Sequence, residues 1–155
     1  MRKLFLTLFY SGLSPKAPGT AGSIVALILG MLLLKIVPDS TLFMLSILIT
    51  AIAVKQIDIY EKEVKEHDSK EIVIDELAGM WLALSICGIT NENFYVMGAL
   101  AFVYFRLFDI WKPSLIGKID EKVKGGWGVM GDDLLAGVAA GLSAAGTYQL
   151  ILKFI

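Results

Sequence analysis

Five long apolar stretches, separated by short polar breaks, dominate this chain: Ala21–Val37, Leu42–Val54, Ile72–Ile89, Phe94–Ile110 and Leu134–Leu152. None sustains a period-two alternation, so each predicts a helix rather than a strand. A helix that crosses a bilayer needs about 20 apolar residues, with a range of about 17–25. The fifth stretch meets that length, the second falls short, and the third and fourth reach it only with their charged ends. Total composition decides in favour of lipid: 56% of residues are hydrophobic and 19% charged, with a mean hydropathy of +0.70. Soluble domains run at about 45–50% and about 25%. The expected architecture is all-α, a polytopic helical membrane bundle of about five apolar helices forming one domain over residues 1–155. A soluble bundle of unusually apolar helices is the alternative. Local bilayer thinning accommodates the shorter stretches.

Basic residues fix an orientation. With the N-terminus in the cytoplasm and five alternating helices, Arg2, Lys3, Lys16, Lys55, Lys62, Lys65, Lys70, Arg106, Lys112, Lys118, Lys122 and Lys124 fall on the inner side. Only Lys35 and Lys153 fall outside, which is a strong positive-inside bias. Leu4–Tyr10 is short for a signal peptide and lacks a small-residue cleavage site, so it predicts an interfacial helix. The segment Lys55–Glu71 carries Ile57, Tyr60, Val64 and His67 at helical spacing and predicts a cytoplasmic amphipathic helix continuing the second span.

Composition also removes whole classes of function. Fourteen basic and 15 acidic residues give a net charge of -1, with no basic excess for nucleic acid. The single cysteine, Cys87, lies deep in an apolar stretch and predicts packing rather than a disulfide or zinc site. A single histidine, His67, excludes any mechanism needing two imidazoles, and its setting predicts a surface role.

The remaining chemistry belongs to charges at the edges of the apolar stretches. Asp75 and Glu76 open the third, Arg106 and Asp109 close the fourth, and Asp132 and Asp133 precede the fifth. Charges at such positions are costly and usually functional. The expected topology brings all six to one cytoplasmic level, together with Lys16, Thr20 and Lys112. Gly137 and Gly141 follow Asp133 at steps of four, and Gly79 follows Asp75 by the same step. Small residues at that spacing allow close helix approach, within the chain or between chains, and turn the carboxylates toward the bundle interior. Convergent carboxylates repel unless neutralised, and oxygen ligands without histidine or thiolate favour Mg2+ or a similar hard cation. Simpler roles stand beside this one: Asp132 after Gly131 fits a helix N-cap, and Arg106–Asp109 fits a structural ion pair.

Two glycine-rich segments border this ring. Ser14–Ser23 leads into the first long helix, and Gly125–Gly131 leads into Asp132 and Asp133. Amides at a helix start favour an anion, and Lys16, Gly19, Thr20 and Ser23 add to that setting. Neither matches a Walker loop. A metal-binding ring beside an anion cradle at the inner membrane surface points to phosphoryl chemistry on a lipid headgroup. The cysteine-phosphatase pattern is absent, because Asn93 stands where its arginine belongs, and no Asp-x-Asp nucleophile motif occurs.

Four ordered motifs carry a resemblance. Ser14-Pro15-Lys16-Ala17-Pro18-Gly19-Thr20, Ile74-Asp75-Glu76 with Gly79, Phe105-Arg106 through Asp109-Ile110-Trp111-Lys112-Pro113, and Gly125-Gly126 through Met130 to Asp132-Asp133 resemble the phosphatidylglycerophosphatase A family. Ser114 departs slightly from the usual proline. The resemblance implies a Mg2+-dependent phosphatase of the bacterial cytoplasmic membrane with its site facing the cytoplasm. Its substrate would be the membrane phospholipid phosphatidylglycerophosphate, giving phosphatidylglycerol and inorganic phosphate ahead of cardiolipin synthesis. On that basis Glu76, Asp109 and Asp133, with Asp75 or Asp132, are expected to hold Mg2+. Lys16, Arg106 and Lys112 are expected to neutralise phosphate, with the Gly19–Ser23 amides positioning it. Attack by water or by a carboxylate both remain open, as does a rival reading as a small ion or metal transporter.

Overall fold

The computed structural model describes residues 1–65, 69–113 and 115–155, and the regular elements among them are helical. In chain order these are α1 (Arg2–Leu6), a 3-10 turn (Ser11–Leu13), α2 (Pro18–Leu33), α3 (Asp39–Val64), α4 (Ile74–Ile86), α5 (Phe94–Trp111), α6 (Leu115–Lys122) and α7 (Gly126–Phe154). The five apolar stretches correspond to α2, α3, α4, α5 and α7. Three of these helices, α3, α5 and α7, are long and apolar enough to cross a membrane.

The third stretch forms the shortest of these five helices. α4 has 13 residues, hence about 20 Å of length against a hydrocarbon core of about 30 Å. Every residue from Glu76 to Leu84 is buried. α4 is apolar all round because the bundle sheathes it: α2, α3, α5 and α7 all pack on it.

Two other boundaries shift. The second apolar stretch and most of the amphipathic segment form one helix, α3, which buries Ile57 and stops when Lys65 adopts φ 56°. It ends at Val64 rather than Glu71, and His67 and Ser114 lie outside the described residues. α1 ends at Leu6, short of the expected Tyr10, because Leu8, Phe9 and Tyr10 take left-handed conformations with φ of 44°, 53° and 66°. Arg2 pairs with Glu63 at 2.5 Å and Lys3 with Glu71 at 3.0 Å, which pins α1 to α3 and to the segment before α4. The Val73 amide donates to the Leu6 carbonyl at 2.9 Å and closes the same corner.

Helix α4 meets α7 backbone to backbone. A Cβ on Gly79 would lie 2.5 Å from the Asp133 carbonyl oxygen, and one on Gly137 would collide with the Gly79 carbonyl. A Cβ on Gly141 would lie 2.9 Å from the Ala83 carbonyl, so the small-residue stripe of α7 packs within the chain. Polar side chains lock the other sides of α4. Ser46 donates to the Ala78 carbonyl at 2.7 Å, and the Trp81 indole donates to the Ala26 carbonyl at 2.9 Å. Tyr104 and Thr147 join α5 to α7 through their hydroxyls at 2.7 Å.

Enlarging a closed contact costs about 1–3 kcal/mol. Gly79→Ala should therefore lower the thermal midpoint of the detergent-solubilised protein. Gly146→Ala, where a Cβ meets nothing within 4 Å, should leave it unchanged or slightly raised. Equal midpoints for the two variants would contradict this account of the crossing.

Candidate metal and phosphate site

The α4–α7 crossing sets the acidic residues beside one another. Asp75 and Glu76 lie in the first turn of α4, Asp109 near the end of α5, and Asp132 and Asp133 in the second turn of α7. All five line one pocket of about 180 Å³, with Gly19 and Pro18 from the start of α2 and Lys112 from the end of α5. Ser69, Lys70 and Ile72 complete it.

Three carboxylates approach closely enough to share one cation. Glu76, Asp109 and Asp133 each offer an oxygen, and these oxygens lie within 4.8 Å of one another. Glu76 is 6% and Asp133 2% exposed, so neither is screened by bulk water. Asp133 Oδ2 is buried without a hydrogen-bond partner among the described residues. An ionised buried carboxylate in that state is costly. An all-oxygen donor set with one oxygen left over fits a hard divalent cation.

Arg106 supplies part of the compensating charge. Its Nη1 lies 3.0 Å from both Glu76 oxygens and 2.5 Å from Asp109 Oδ2. Nη2 donates to Thr20 Oγ1 at 3.3 Å. Ser23, fully buried, hydrogen-bonds to Glu76 and sits 2.9 Å from the Gly19 carbonyl and 3.2 Å from Arg106 Nη1. A Cβ on Gly19 would lie 2.5 Å from Glu76 Oε1, so only glycine lets α2 come this close to the carboxylate. Across the pocket, Lys112 Nζ pairs with Asp132 Oδ2 at 2.8 Å, and Asp132 Oδ1 accepts from the Asp133 amide at 3.0 Å. Lys112 itself holds φ 45°, a conformation uncommon outside glycine.

The expected site residues thus separate into three groups. Asp75, Glu76, Asp109, Asp132, Asp133, Gly19 and Lys112 line the pocket. Thr20, Ser23 and Arg106 stand around Glu76 and Asp109 as a supporting layer, with Ser23 buried away from any entering ligand. Lys16 is exposed and does not line the pocket. The second glycine segment is not a loop: α7 begins at Gly126, so Gly126–Gly131 are helical and Asp132 is no N-cap. Its glycines serve packing instead, since a Cβ on Gly126 would lie 2.7 Å from Val54 Cα. The Gly126 amide is capped by Asp58 Oδ1 at 2.7 Å, a contact that no local spacing announced. Lys70 and Ser69 were also missed. The available signal was a lysine five residues before Asp75, in the segment that must enter α4.

A cation held by these carboxylates should stabilise the fold by mass action, about 2.7 kcal/mol at a hundredfold excess over Kd. Chelation should lower the wild-type thermal midpoint, and divalent cation should restore it. Asp133→Asn should melt higher than wild type in chelator and lose the cation response. A full cation response in Asp133→Asn would remove it from the ligand set.

Known proteins agree with the motif pattern. The family model for phosphatidylglycerophosphatase A matches residues 4–148. A phosphatidylglycerophosphatase A of Escherichia coli is 40% identical over 84% of this chain and 73% of its own length. Its Haemophilus influenzae counterpart is 34% identical over 85% and 79%. A Bacteroides thetaiotaomicron protein described as a candidate phosphatidylinositol-3-phosphatase is 40% identical over 85% and 84%. No solved structure matches significantly. With a family match over almost the whole chain and relatives aligned along most of their own length, this chain belongs to the phosphatidylglycerophosphatase A family.

Proposed function

We propose that this chain is a Mg2+-dependent lipid phosphatase that hydrolyses the terminal phosphate monoester of phosphatidylglycerophosphate, releasing phosphatidylglycerol and inorganic phosphate. The observation that carries this reading is the convergence of five carboxylates and two lysines on one small pocket in a chain of this family. Three long apolar helices support a bilayer setting. The positive-inside count supports a multi-pass protein of the bacterial cytoplasmic membrane, with the pocket and the α3 extension on the cytoplasmic side. Exposed Trp111 and Trp127, close in sequence to Lys112 and Asp132, fit the headgroup level of such a membrane. Within it the whole chain acts as one domain, and the shorter α2 and α4 complete the five apolar helices.

Glu76, Asp109 and Asp133 hold the cation in this reading, with Asp75 beside them. When bound, Mg2+ supplies Lewis-acid polarisation of the phosphate and lowers the pKa of an attacking water. Arg106 keeps Glu76 and Asp109 oriented, and its positive charge offsets their repulsion. Lys112 and Lys70 face the pocket and stabilise charge developing on the phosphate oxygens. Gly19 lines the pocket at the amino end of α2, where the helix amides favour the negative charge of the monoester. Asp75 accepts the proton of the attacking water as the phosphorus–glycerol oxygen bond breaks, the leaving oxygen takes a proton from solvent, and Asp75 then returns its own proton to solvent.

The B. thetaiotaomicron relative gives a second reading of the headgroup, because its identity to this chain equals that of the E. coli enzyme. Both substrates are phosphate monoesters on a glycerophospholipid headgroup. The ion-transport alternative fits less well, since the acidic residues close on one pocket instead of extending along a path.

Purified protein in detergent, assayed on phosphatidylglycerophosphate, phosphatidylinositol 3-phosphate and a soluble ester, tests the reading. Release should be greatest from phosphatidylglycerophosphate and should vanish in chelator. Asp109→Asn and Asp133→Asn should each reduce it at least about 100-fold, in line with losing a transition-state contact. Preference for the inositol lipid would reassign the substrate, and preference for the soluble ester would remove the lipid.

A further inference from the structure

We propose that the apolar groove between α5, α6 and α7 is the acyl-chain subsite, taking one fatty-acyl chain of the phospholipid whose headgroup occupies the carboxylate pocket. The inference rests on the lipid-phosphatase reading and adds the place where the hydrophobic part of the substrate is gripped. The groove encloses about 400 Å³ and is lined by Phe108, Pro113, Leu135, Val138, Ala139 and Leu142, among others. On α7, positions 135, 138, 139 and 142 share one helical face. That face runs about 10 Å along the helix axis, away from the acidic residues and toward the apolar middle of α7.

Groove and pocket share the same framework. Phe108 precedes Asp109, Pro113 follows Lys112, and Leu135 lies one turn beyond Asp132. The Lys112–Asp132 ion pair joins α5 to α7 where the polar and apolar linings meet. A molecule with its phosphate against Lys112 therefore finds apolar side chains directly beyond that ion pair. The third wall, α6, carries Lys118 and Lys122, which make no ion pair among the described residues. Cations on a helix that walls an apolar groove suit an anionic phospholipid.

A second apolar cavity, about 390 Å³ between α1, α2 and α4, is lined by Leu4, Phe5, Leu29, Leu77 and Trp81 among others. The two side-chain cations of α1 are paired, Arg2 with Glu63 and Lys3 with Glu71. The cavity adjoins the carboxylate pocket through α4 alone, by Ile74 and Leu77, whereas the groove flanks Asp109, Lys112 and Asp132 on two helices and is the one assigned.

Ala139→Trp fills the groove without touching the pocket, and Ala139→Leu fills it partly. Ile52→Trp, at an exposed position on α3, controls for general lipid contact. On long-chain phosphatidylglycerophosphate in mixed micelles, Ala139→Trp should raise KM about tenfold or more, the scale of misfitting a methylene or two. Its kcat, and both constants on the dihexanoyl substrate, should stay close to wild type. Ala139→Leu should fall between, and Ile52→Trp should change nothing. Independently of turnover, native mass spectrometry should show long-chain phosphatidylglycerol retained by wild type and Ile52→Trp but lost from Ala139→Trp. Retention by Ala139→Trp, or equal losses in Ala139→Trp and Ile52→Trp, would overturn the subsite. Selective loss of retained lipid from Ala139→Trp in a protein that releases no phosphate would keep the subsite and refute the phosphatase reading instead.

Discussion

The close crossing of α4 and α7 is the contact on which the rest of this molecule depends. Gly79 and Gly137 remove the side chains that would hold the two backbones apart, and the Asp133 carbonyl sits against Gly79. Backbones this near bring the first turn of α4 level with the second turn of α7. Glu76 and Asp133 then come within reach of one ion, and Asp109 enters from the end of α5. Without a bulk-solvent contribution between these helices, packing of small residues supplies much of the attraction in a bilayer. The same glycines that hold the fold therefore also place the chemistry.

Close approach carries an electrostatic cost, and the surrounding residues are arranged around it. Arg106 reaches Glu76 and Asp109 with one guanidinium nitrogen, while Lys112 satisfies Asp132 on the opposite wall. Ser23 and Thr20 steady the arginine and the glutamate from α2. Asp133 keeps a buried oxygen without a hydrogen-bond partner among the described residues. Charge balance is thus left incomplete at the point where the three carboxylates converge. A hard cation would complete it, and a phosphate monoester brought to such a cation would find Lys70 and Lys112 on the pocket wall.

Much of this was readable in the sequence because apolar periodicity and the rarity of charge are strong signals. The apolar stretches gave the helices, and six edge charges gave the level of the site. What escaped was information carried by contacts between distant segments. The continuous hydrophobicity of Ile72–Ile89 reads alike for a helix in lipid and one sheathed by protein, and only packing shows that α4 is the latter. Gly125–Gly131 looked like a loop because glycine disfavours helix, yet tight contact with α3 at Val54 and capping by Asp58 draw it into α7. Ser23 and Thr20 hydrogen-bond to Glu76 and Arg106, partners more than fifty residues away that local spacing does not reveal. Lys16 matched the motif, yet it is exposed and does not line the pocket.

The central claim is that Glu76, Asp109 and Asp133 together hold one divalent cation. Anomalous X-ray diffraction from crystals of the protein grown with Mn2+ in place of Mg2+ tests it most directly. The account predicts a single strong peak among these three carboxylates, absent in Asp133→Asn crystals prepared in the same way. A peak confined to Asp75 and Asp132, or none in the pocket at saturating Mn2+, would contradict it.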